Sequence, residues 1–482
     1  MALLILLFVP LISAFILMLV GDRKFSYELN IIASAATFLA GVSLAITVYF
    51  TGSMLVWHNY FFVDAFNVYL AVLTSFVSMT TAIFSRRYMK REREIGRVGH
   101  RRMRFYHAMF QLFIFAMLLC LLTNNIGVLW IAMELATLST VLLVSLYRTP
   151  GAIEAAWKYF ILCGVGIAQA LFGTVLLYFA AEKVLGEGGD ALLWTNLAQY
   201  SDQLEPTILS LAFVFLMVGY GTKVGLAPLH NWLPDAHSEG PTPVSAVLSG
   251  LLLNIALYAL VRCKTIVDGA THTHHAGLIM MGFGIVSVLV GAFSLLRQKD
   301  IKRMFSYSSI EHMGIATFAF GLGGALATYG ALLHMLLHSL AKSSIFYSVG
   351  QASQMHETQE MDKISGLISG NPFVGWGLMF GALAIVGMPP FGIFISEFLI
   401  LTATIKQAPL VAPVLLLGLV VAFAAIIRKV QPMVAGEVPA GQQKIKVANL
   451  PIILHLSMVL ILGLYIPAFL NNWFIKGVEI LK

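Results

Sequence analysis

Charged residues are scarce in this sequence: Asp, Glu, Lys and Arg together make up 11% of its 482 residues, whereas 59% are hydrophobic. Soluble domains carry about 25% charged residues, so this composition excludes an ordinary soluble globular protein. The net charge of +7 does not indicate nucleic-acid binding, because the basic residues lie in short segments between apolar runs. The composition therefore predicts a polytopic membrane protein in contact with the lipid bilayer.

Cysteine is also scarce, and Cys120, Cys163 and Cys263 are scattered through apolar segments without any C-x-x-C pair. This pattern supports neither iron–sulfur nor zinc ligation. The sequence also lacks a Gly-rich phosphate loop and a nucleotide fingerprint. The run His272–His275 resembles a metal-binding tract, but only one acid is nearby, and we interpret it as exposed surface. We expect no cofactor, metal or catalytic residue in this chain; any redox centres that it serves belong to other subunits.

Long apolar runs dominate what is present. Because about 20 helical residues cross a hydrocarbon core of ~30 Å, we predict about fourteen transmembrane helices, and strands are not expected in runs without alternating polarity. The first run has no basic residues before it and no small-residue cleavage site after it, which favours a retained helix over a signal peptide. The predicted spans are 3–20, 29–50, 64–85, 107–122, 125–147, 155–181, 207–230, 243–263, 276–296, 303–320, 323–351, 372–402, 409–428 and 450–470.

Basic residues alternate between the loops. Nine Lys and Arg residues lie from Arg86 to Arg104, after the third span, whereas the loops after even-numbered spans hold only Lys183, Lys264 and Lys406. The positive-inside bias therefore predicts cytoplasmic odd-numbered loops, with both termini outside a prokaryotic plasma membrane. The other basic residues of odd-numbered loops are Arg23, Lys24, Arg148, Arg297, Lys299, Lys302, Arg303, Lys363, Arg428, Lys429, Lys444 and Lys446.

Ionisable residues inside the apolar runs are candidates for function. Lys223 is the only charge in the seventh span, and Glu134 and Glu397 are the only charges in the fifth and twelfth. A charge at the bilayer centre costs about 2.5–3.5 kcal/mol on insertion scales, so such residues are usually functional. A nearby carboxylate favours the protonated lysine, so a separable Glu134–Lys223 pair would hold and release a proton.

The eleventh span adds His334, His338 and Lys342, whose spacing of i, i+4 and i+8 puts them on one helix face. Imidazole titrates near neutral pH and suits a proton relay. We predict a proton pathway from Glu134 and Lys223 through these three residues to a terminal acceptor, Glu397. Secondary candidates are Lys158, Asn254, Glu311 and His312.

Each of these residues also has a structural interpretation. A single intramembrane charge can form a fixed salt bridge between helices, and His334 can be a packing histidine. Lys158 can reach the membrane surface with its long side chain. Asn254 can make an interhelical hydrogen bond, and Glu311 with His312 can pack on the cytoplasmic side. Several such spans together make a purely structural role for all of them the weaker interpretation.

Proline and glycine mark two helix breaks beside buried charges. Pro228 follows Lys223 by five residues, and GMPPFG at 387–392 precedes Glu397. Proline removes a backbone donor and breaks or kinks a helix. Matched breaks in the seventh and twelfth spans suggest two five-helix repeats, spans 4–8 and 9–13. The resulting divisions are 1–106 with the basic loop, 107–263 and 276–428 for the repeats, and 429–482 for the last loop and helix.

Four stretches resemble one family. They are GYGTKVGLAPLHNWLPDAHSEGPTPVSAVLSG around Lys223, LWIAMELATLS around Glu134, DIKRMFSYSSIEHMG at 300–314, and LLHMLLHSLAKSSIFYSVG around Lys342. In this order they resemble the antiporter-like proton-translocating subunits of respiratory complex I and its relatives. AAWKYFILCGVG and GMPPFGIFISEFLIL look closest to the branch of component F subunits from hydrogenase-4-type formate hydrogenlyases.

The resemblance implies a fourteen-helix fold with inverted repeats and broken helices 7 and 12. It also implies that Glu134 and Lys223 are the paired glutamate and lysine of the fifth and seventh helices. His338 and Lys342 match the eleventh-helix relay, and Glu397 matches the terminal group of the twelfth helix. Asn254 departs from the pattern, because some family members have a lysine there on the eighth helix.

The sequence thus indicates a proton-translocating membrane subunit of a complex I-like assembly, foremost a group 4 membrane-bound hydrogenase. Its expected partners are other membrane subunits and a peripheral redox arm that holds iron–sulfur clusters and a nickel–iron site. Sodium as the transported ion stays open. The alternatives are a subunit of a multisubunit cation/proton antiporter, the membrane part of an inorganic-carbon uptake system, and a structural anchor with an inactive path.

Overall fold

The computed structural model is almost entirely helical and describes residues 1–439, 442–443 and 445–481. The predicted cytoplasmic residue Lys444 and the terminal Lys482 lie outside the described residues. Within these described residues, twenty α-helices follow one another in chain order. They are α1 (Ala2–Val20), α2 (Lys24–Thr51), α3 (Ala65–Glu94), α4 (His100–Leu122), α5 (Ile126–Val144), α6 (Pro150–Leu185), α7 (Trp194–Gln199), α8 (Pro206–Val224), α9 (Trp232–Glu239), α10 (Thr242–Val247), α11 (Leu253–Thr271), α12 (His275–Leu295), α13 (Ile301–Leu322), α14 (Gly324–His356), α15 (Leu367–Gly370), α16 (Pro372–Ile385), α17 (Gly392–Gln407), α18 (Ala412–Ala435), α19 (Asn449–Leu464) and α20 (Ala468–Ile480).

The polytopic helical fold is confirmed, whereas the count of fourteen spans stays a prediction. Within the described residues, 11 helices are long and apolar enough to cross a membrane, or up to 12 if the bent pair α19–α20 is one span. The helix α13 and the broken pair α16–α17 correspond to predicted spans 10 and 12 but do not pass this test. They carry polar residues or a break at mid-length, which are the features expected of functional helices.

The predicted breaks in spans 7 and 12 are present. The seventh span divides into α8 and α9, and the twelfth into α16 and α17. The eighth span is also irregular, because a π-helical turn at Leu248–Leu252 joins α10 to α11. All three irregularities lie next to buried polar residues, and π-turns are frequent at functional sites.

One prediction about the extent of an element was wrong. Residues 450–470 do not form one helix, because α19 ends at Leu464 and α20 leaves it at 80°. Trp473 on α20 donates a 2.7 Å hydrogen bond to the carbonyl of Ala65, so tertiary contact holds the bend. A two-stranded hairpin, β1 (Met54–Val56) and β2 (Phe61–Val63), also joins α2 to α3. Its three-residue strands are far too short to span a membrane.

Helix α14 lies at the centre of the second half of the chain and contacts α13, α16, α17 and α19. Its residues from Gly330 to Met355 are buried almost without interruption. Glycine allows the closest helix pairs to form: a Cβ on Gly314 of α13 would lie 2.8 Å from the carbonyl oxygen of Gly284 on α12. Small residues at such contacts are typical of membrane helix packing, and here they hold α13 firmly between α12 and α14.

Candidate functional site

The seventh span breaks directly after Lys223. Gly225 caps α8 with a φ of 80°, in the left-handed region that glycine adopts without steric cost. Pro228 then prevents helical hydrogen bonding, and the helix resumes as α9 at Trp232. Lys223 therefore lies in the last turn of a half-helix, where the unpaired carbonyl groups favour a cation.

Side chains satisfy the backbone groups that this break frees. The indole nitrogen of Trp232 donates to the carbonyl of Thr222 at 2.8 Å. The amide of Ala227 donates to the hydroxyl of Ser287 on α12 at 2.9 Å. Irregular backbone at membrane depth is tolerated only when its polar groups have such partners, so the break is a built feature of the fold.

Lys223 is completely buried. Its ammonium donates a hydrogen bond to the hydroxyl of Thr137 on α5 and lies 5.5 Å from the ring centroid of Tyr159 on α6. The tyrosine hydroxyl is itself 2.8 Å from Thr140. Among the described residues no carboxylate lies within 4.0 Å of this ammonium. The lysine is held by a hydroxyl and an aromatic ring rather than by an ion pair.

Glu134 lies near this site without touching Lys223. It precedes Thr137 by three residues on α5, so both side chains lie on the same helix face. One oxygen of its carboxylate, Oε2, is buried and has no hydrogen-bond partner in the described part of the chain. The structure therefore places Glu134 beside the Lys223 site, whereas Thr137, which the sequence patterns did not single out, contacts the ammonium directly.

The twelfth span breaks just before Glu397. Gly387 has a φ of 67°, and a Cβ there would collide with the carboxylate of Glu397. The segment 387–391 separates α16 from α17, and Glu397 follows in the second turn of α17 with 9% of its surface exposed. The backbone of the break thus positions the carboxylate that the sequence predicted as the terminal acceptor.

Glu397 belongs to a buried cluster with two histidines. His312 Nδ1 on α13 lies 3.1 Å from His334 Nε2 on α14 and 3.9 Å from Glu397 Oε1. The other nitrogen of His334, Nδ1, lies 3.0 Å from the hydroxyl of Ser396. The structure therefore brings together residues from the tenth, eleventh and twelfth predicted spans and raises His312 from a secondary candidate to a central member.

The remaining residues of the eleventh-span face also contact α13. The ring of His338 lies 5.6 Å from that of His312, and its two nitrogens have no hydrogen-bond partner among the described residues. The ammonium of Lys342 donates to the carbonyl of Phe305 at 2.8 Å. His334, His338 and Lys342 therefore share one face, as predicted, and that face lies against α13.

Asn254 ties the eighth span to α14. Its amide nitrogen donates to the carbonyl of Met335 at 3.0 Å and to the hydroxyl of Ser339 at 2.7 Å. Ser339 in turn donates to the carbonyl of Gly250, inside the π-helical turn. This geometry matches the interhelical hydrogen bond that the sequence left open as an alternative to a relay role.

The other two secondary candidates differ in their surroundings. Glu311 is buried with 2% exposure, and its Oε2 has no hydrogen-bond partner in the described part of the chain. The side chain of Lys158, by contrast, is 48% exposed and lies 2.7 Å from Glu154 and 3.2 Å from Asp235. Lys158 therefore lies at the periphery, where its ion pair with Asp235 joins α6 to α9.

Two further histidines lie inside the polar interior and were missed by the sequence reasoning. His230 is 9% exposed in the break between α8 and α9, and its ring lies 6.2 Å from that of Tyr307 on α13. His237 is fully buried on α9, and its ring lies 5.5 Å from Phe346, one turn beyond Lys342 on α14. Both belong to the APLHNWLPDAHSEG stretch, residues 227–240, which was quoted for the family resemblance and could have identified them.

A buried ion pair was also missed. Arg262 Nη2 lies 2.6 Å from Asp64 Oδ2, and the side chains are 3% and 0% exposed. The carboxylate also accepts hydrogen bonds from the amides of Phe66 and Asn67 at the start of α3. Arg262 lies near the end of the predicted eighth span, 243–263. The apolar character of that span did not indicate that its charge is paired with Asp64.

A polar cavity of about 520 Å³ opens toward the side of the basic loop 86–104. Its lining includes Arg97, Glu239, Lys302 and Gln354. Lys302 is 1% exposed and donates to the carbonyls of Ser238 and Gly240 at 3.2 and 2.9 Å. The cavity is thus lined by ionisable groups at the C-terminal end of α9, two residues after His237.

Comparison with known proteins gives consistent matches. The family described as NADH:quinone oxidoreductase/Mrp antiporter, transmembrane, matches residues 123–423. The hydrogenase-4 component F homolog of Methylacidiphilum infernorum is 47% identical over 465 residues, which cover 96% of each chain. These matches include all the polar residues from Glu134 to Glu397 described above.

Solved structures share the fold. A chain of the membrane-bound sulfane sulfur reductase, an archaeal respiratory membrane complex, has a TM-score of 0.88 at 24% identity and covers 100% of this chain and 97% of its own. A chain of the Mrp complex from Dietzia sp. DQ12-45-1b has a TM-score of 0.83 at 17% identity, with 99% and 96% covered. The helical fold of a complex I antiporter-like subunit, expected from the four sequence stretches, is thereby confirmed, whereas the count of fourteen helices and the division into repeats stay predictions.

Proposed function

Because the chain belongs to the transmembrane family that NADH:quinone oxidoreductases share with Mrp antiporters, we propose that it moves protons across the membrane as an antiporter-like subunit of a complex I-like redox assembly. The observation that carries this proposal is the state of two buried lysines. Lys223 and Lys342 are 0% exposed, and their ammonium groups contact a hydroxyl and a backbone carbonyl. A lysine held at depth without a fixed counterion is suited to gaining and losing a proton.

The first step of the path involves Lys223 with Glu134. Thr137 holds the ammonium while Glu134 stays one helical turn away. A small movement of α5 or α8 would bring carboxylate and ammonium together and favour the protonated lysine, and separation would release the proton. The half-helix end after Lys223 gives α8 freedom to move, since its last turn is not continued by α9.

Helix α13 links the two halves of the path. Its Tyr307 faces His230 beside the first break, its Phe305 carbonyl holds Lys342, and its His312 contacts His334. Helix α13 therefore contacts His230, Lys342 and His334. We assign it the role of the connecting element between Lys223 and the second half.

The last stage runs along α14 to Glu397. From Lys342 the polar face continues through His338 and His312, whose rings are 5.6 Å apart. His312, His334 and Glu397 then lie within hydrogen-bonding or near-contact distance of one another. Imidazole can accept a proton on one nitrogen and release it from the other, so this cluster suits proton release toward the outside.

The proton uptake route begins at the polar cavity beside the basic loop. Glu239 and Lys302 line it, and the buried His237 lies between this cavity and Phe346, one turn from Lys342 on α14. The positive-inside bias assigns this side to the cytoplasm and both termini to the outside. The division into repeats 107–263 and 276–428 follows from the two breaks and completes the proposed architecture.

The redox partners are a hydrogenase-type peripheral arm and further membrane subunits. Support comes from the 47% identity to a hydrogenase-4 component F homolog over 96% of the chain. Iron–sulfur clusters and a nickel–iron site belong in those partners. In this chain Cys120, Cys163 and Cys263 are free and buried, and they lie on three different helices, α4, α6 and α11. Copurification of nickel-containing subunits tests this assignment, and a partner set without them would contradict it.

A multisubunit cation/proton antiporter is the second candidate, and the fold shared with the Mrp complex favours it. The two functions differ in which ion is transported through the buried charges and in what drives that transport. An antiporter subunit would support sodium efflux driven by a proton gradient, without any electron donor. The redox subunit would take up protons only while electrons flow.

Substitution of Lys223 tests the proposed function. In inverted membrane vesicles that contain the assembled complex, Lys223→Ala should abolish proton uptake driven by electron transfer while subunit assembly is retained. Lys183→Ala provides the matched control, because Lys183 is an exposed lysine near the end of α6. Unchanged proton uptake in the Lys223 variant would refute the proposal. Sodium-dependent proton flux without an electron donor would instead support the antiporter function.

A further inference from the structure

Three ligand atoms of types that bind metals converge in the second half of the chain. His312 Nδ1, His334 Nε2 and a carboxylate oxygen of Glu397 all lie within 4.8 Å of one another. We propose that these residues form a binding site for a divalent transition-metal ion of the zinc type, and that its occupancy blocks proton release. The site rests on its own geometry; its effect on transport rests on the proposed function.

The donor set suits zinc. Two imidazole nitrogens and one carboxylate oxygen form the ligand combination of several open zinc sites, in which a fourth position holds water. Zinc ligands at about 2.0–2.1 Å lie roughly 3.3 Å from each other in a tetrahedral arrangement. The distances from His312 Nδ1, 3.1 Å to His334 and 3.9 Å to Glu397, bracket that separation. The third separation, between His334 and Glu397, is within 4.8 Å, so rotation of these side chains would complete the geometry.

An orphaned atom also points into the cluster. Glu397 Oε1 is buried and has no hydrogen-bond partner among the described residues. Buried carboxylate oxygens nearly always have a donor or a cation as partner. This is the same oxygen that lies 3.9 Å from His312 Nδ1, so a cation between them would satisfy it.

Ser396 orients one of the ligands. Its hydroxyl lies 3.0 Å from His334 Nδ1, and this contact directs Nε2 toward His312. Metal-binding histidines usually make such a hydrogen bond through their second nitrogen, and its loss typically weakens metal affinity about 10- to 100-fold. Ser396 is thus a positioning residue whose substitution leaves all three ligands in place.

The location explains the expected consequence. In the metal-free cluster, His312 and His334 face each other through two nitrogens at hydrogen-bond distance, which allows a proton to pass between them. A metal ion needs both nitrogens deprotonated and releases any proton that they share. Occupancy would therefore replace the mobile proton at the outer end of the path.

The exposed histidines of the loop between α11 and α12 are the competing metal binders and must be removed first. His272, His274 and His275 are exposed, and replacing all three by alanine provides the background for the test. The purified complex with this background is dialysed against Zn²⁺ alone, and bound zinc is counted per complex. Further substitution by His334→Gln or Glu397→Gln should lower the count by one zinc per chain.

Ser396→Ala gives an independent measure. It should raise the zinc dissociation constant of this site at least ten-fold without changing the number of sites. Co²⁺ in place of Zn²⁺ should give a visible d–d absorption band that disappears in the His334 variant. Zinc counts and affinities that are the same in the background and in all three further variants would overturn the proposal.

The transport consequence is measured separately. In vesicles with the background protein, micromolar Zn²⁺ should inhibit proton uptake, and Ser396→Ala should shift the half-inhibitory concentration upward by the same factor as the dissociation constant. Zinc that binds at the cluster without inhibiting uptake would refute the blocking role and leave the site itself supported. Loss of uptake in the Lys223 test has no bearing on the zinc count, so the two proposals fail independently.

Discussion

The buried ammonium of Lys223 donates its hydrogen bond to Thr137, although the sequence resemblance implied a pair with Glu134. The hydroxyl and the carboxylate are three residues apart on one face of α5. The threonine therefore holds the lysine in the separated state of the proposed pair. Thr137 and Glu134 are thus two alternative partners for the Lys223 ammonium on adjacent turns of α5. A switch between two states requires such a pair, because each partner favours a different position of the ammonium.

Removal of the threonine hydroxyl should slow coupled transport. Thr137→Val keeps the shape but leaves the ammonium without its acceptor, and a hydrogen bond to a charged group contributes about 1.5–3 kcal/mol. We expect electron-driven proton uptake to fall roughly ten-fold or more. Thr404→Val serves as the control, because among the described residues the buried Thr404 hydroxyl bonds only to the Ile400 carbonyl of its own helix. Equal uptake in both variants would contradict this role.

The ion pair between Arg262 and Asp64 should be essential for stability. Arg262→Met leaves the Asp64 carboxylate buried without its counterion, and breaking a buried pair in this way costs about 3–5 kcal/mol. We expect a clearly lower melting temperature of the purified protein in detergent. The double variant Arg262→Met with Asp64→Asn should recover much of the loss, because Asn keeps an acceptor for the first turn of α3. No recovery in the double variant would argue against the ion pair as the cause.

Asn254 should act as a link between helices rather than as a proton carrier. An amide does not titrate, and this one holds two acceptors on α14. Asn254→Leu should lower thermal stability by about 1–3 kcal/mol, the cost of unsatisfied buried groups. Proton uptake per folded complex should change less than about two-fold. A large loss of uptake at normal stability would assign Asn254 to the path itself.

Gly387 should be required to position Glu397. Alanine at this residue meets both a positive φ and the carboxylate of Glu397, so the carboxylate must move away from His312. Gly387→Ala should reduce proton uptake strongly, with a smaller effect on assembly. Gly282→Ala on α12 is the control, since a Cβ there has open space around it. Full activity of the Gly387 variant would show that the position of this carboxylate is not critical.

Single cysteines test the orientation in the membrane. The native cysteines are all buried, so labels report introduced ones. A membrane-impermeant maleimide applied to intact cells should label Thr273→Cys, in the exposed loop between α11 and α12. It should label Arg101→Cys, in the basic region, only after the membrane is permeabilised. The reverse pattern would invert the proposed topology.

The helix breaks could be predicted from the sequence because their causes are local. Pro228 and the Pro389–Pro390 pair lack backbone donors wherever the chain folds, and single charges in apolar runs are visible without any contact. The bend before α20 could not be predicted in this way. It depends on contacts such as that of Trp473 with Ala65, which are separated by 408 residues.

The membrane class, the helical fold and the two broken spans can be predicted from composition and local pattern. Each of these follows from the cost of placing a chemical group in lipid or in a helix. The partners of the buried groups, by contrast, depend on how separate helices pack together. Thr137 meets Lys223, and His312 meets His334 and Glu397, because of the rotation and depth of separate helices. The hydropathy of a segment indicates that it is buried in the membrane, but not which of its faces packs against a neighbouring helix. The packed faces determine which side chains are in contact, and a proton can move only through such contacts.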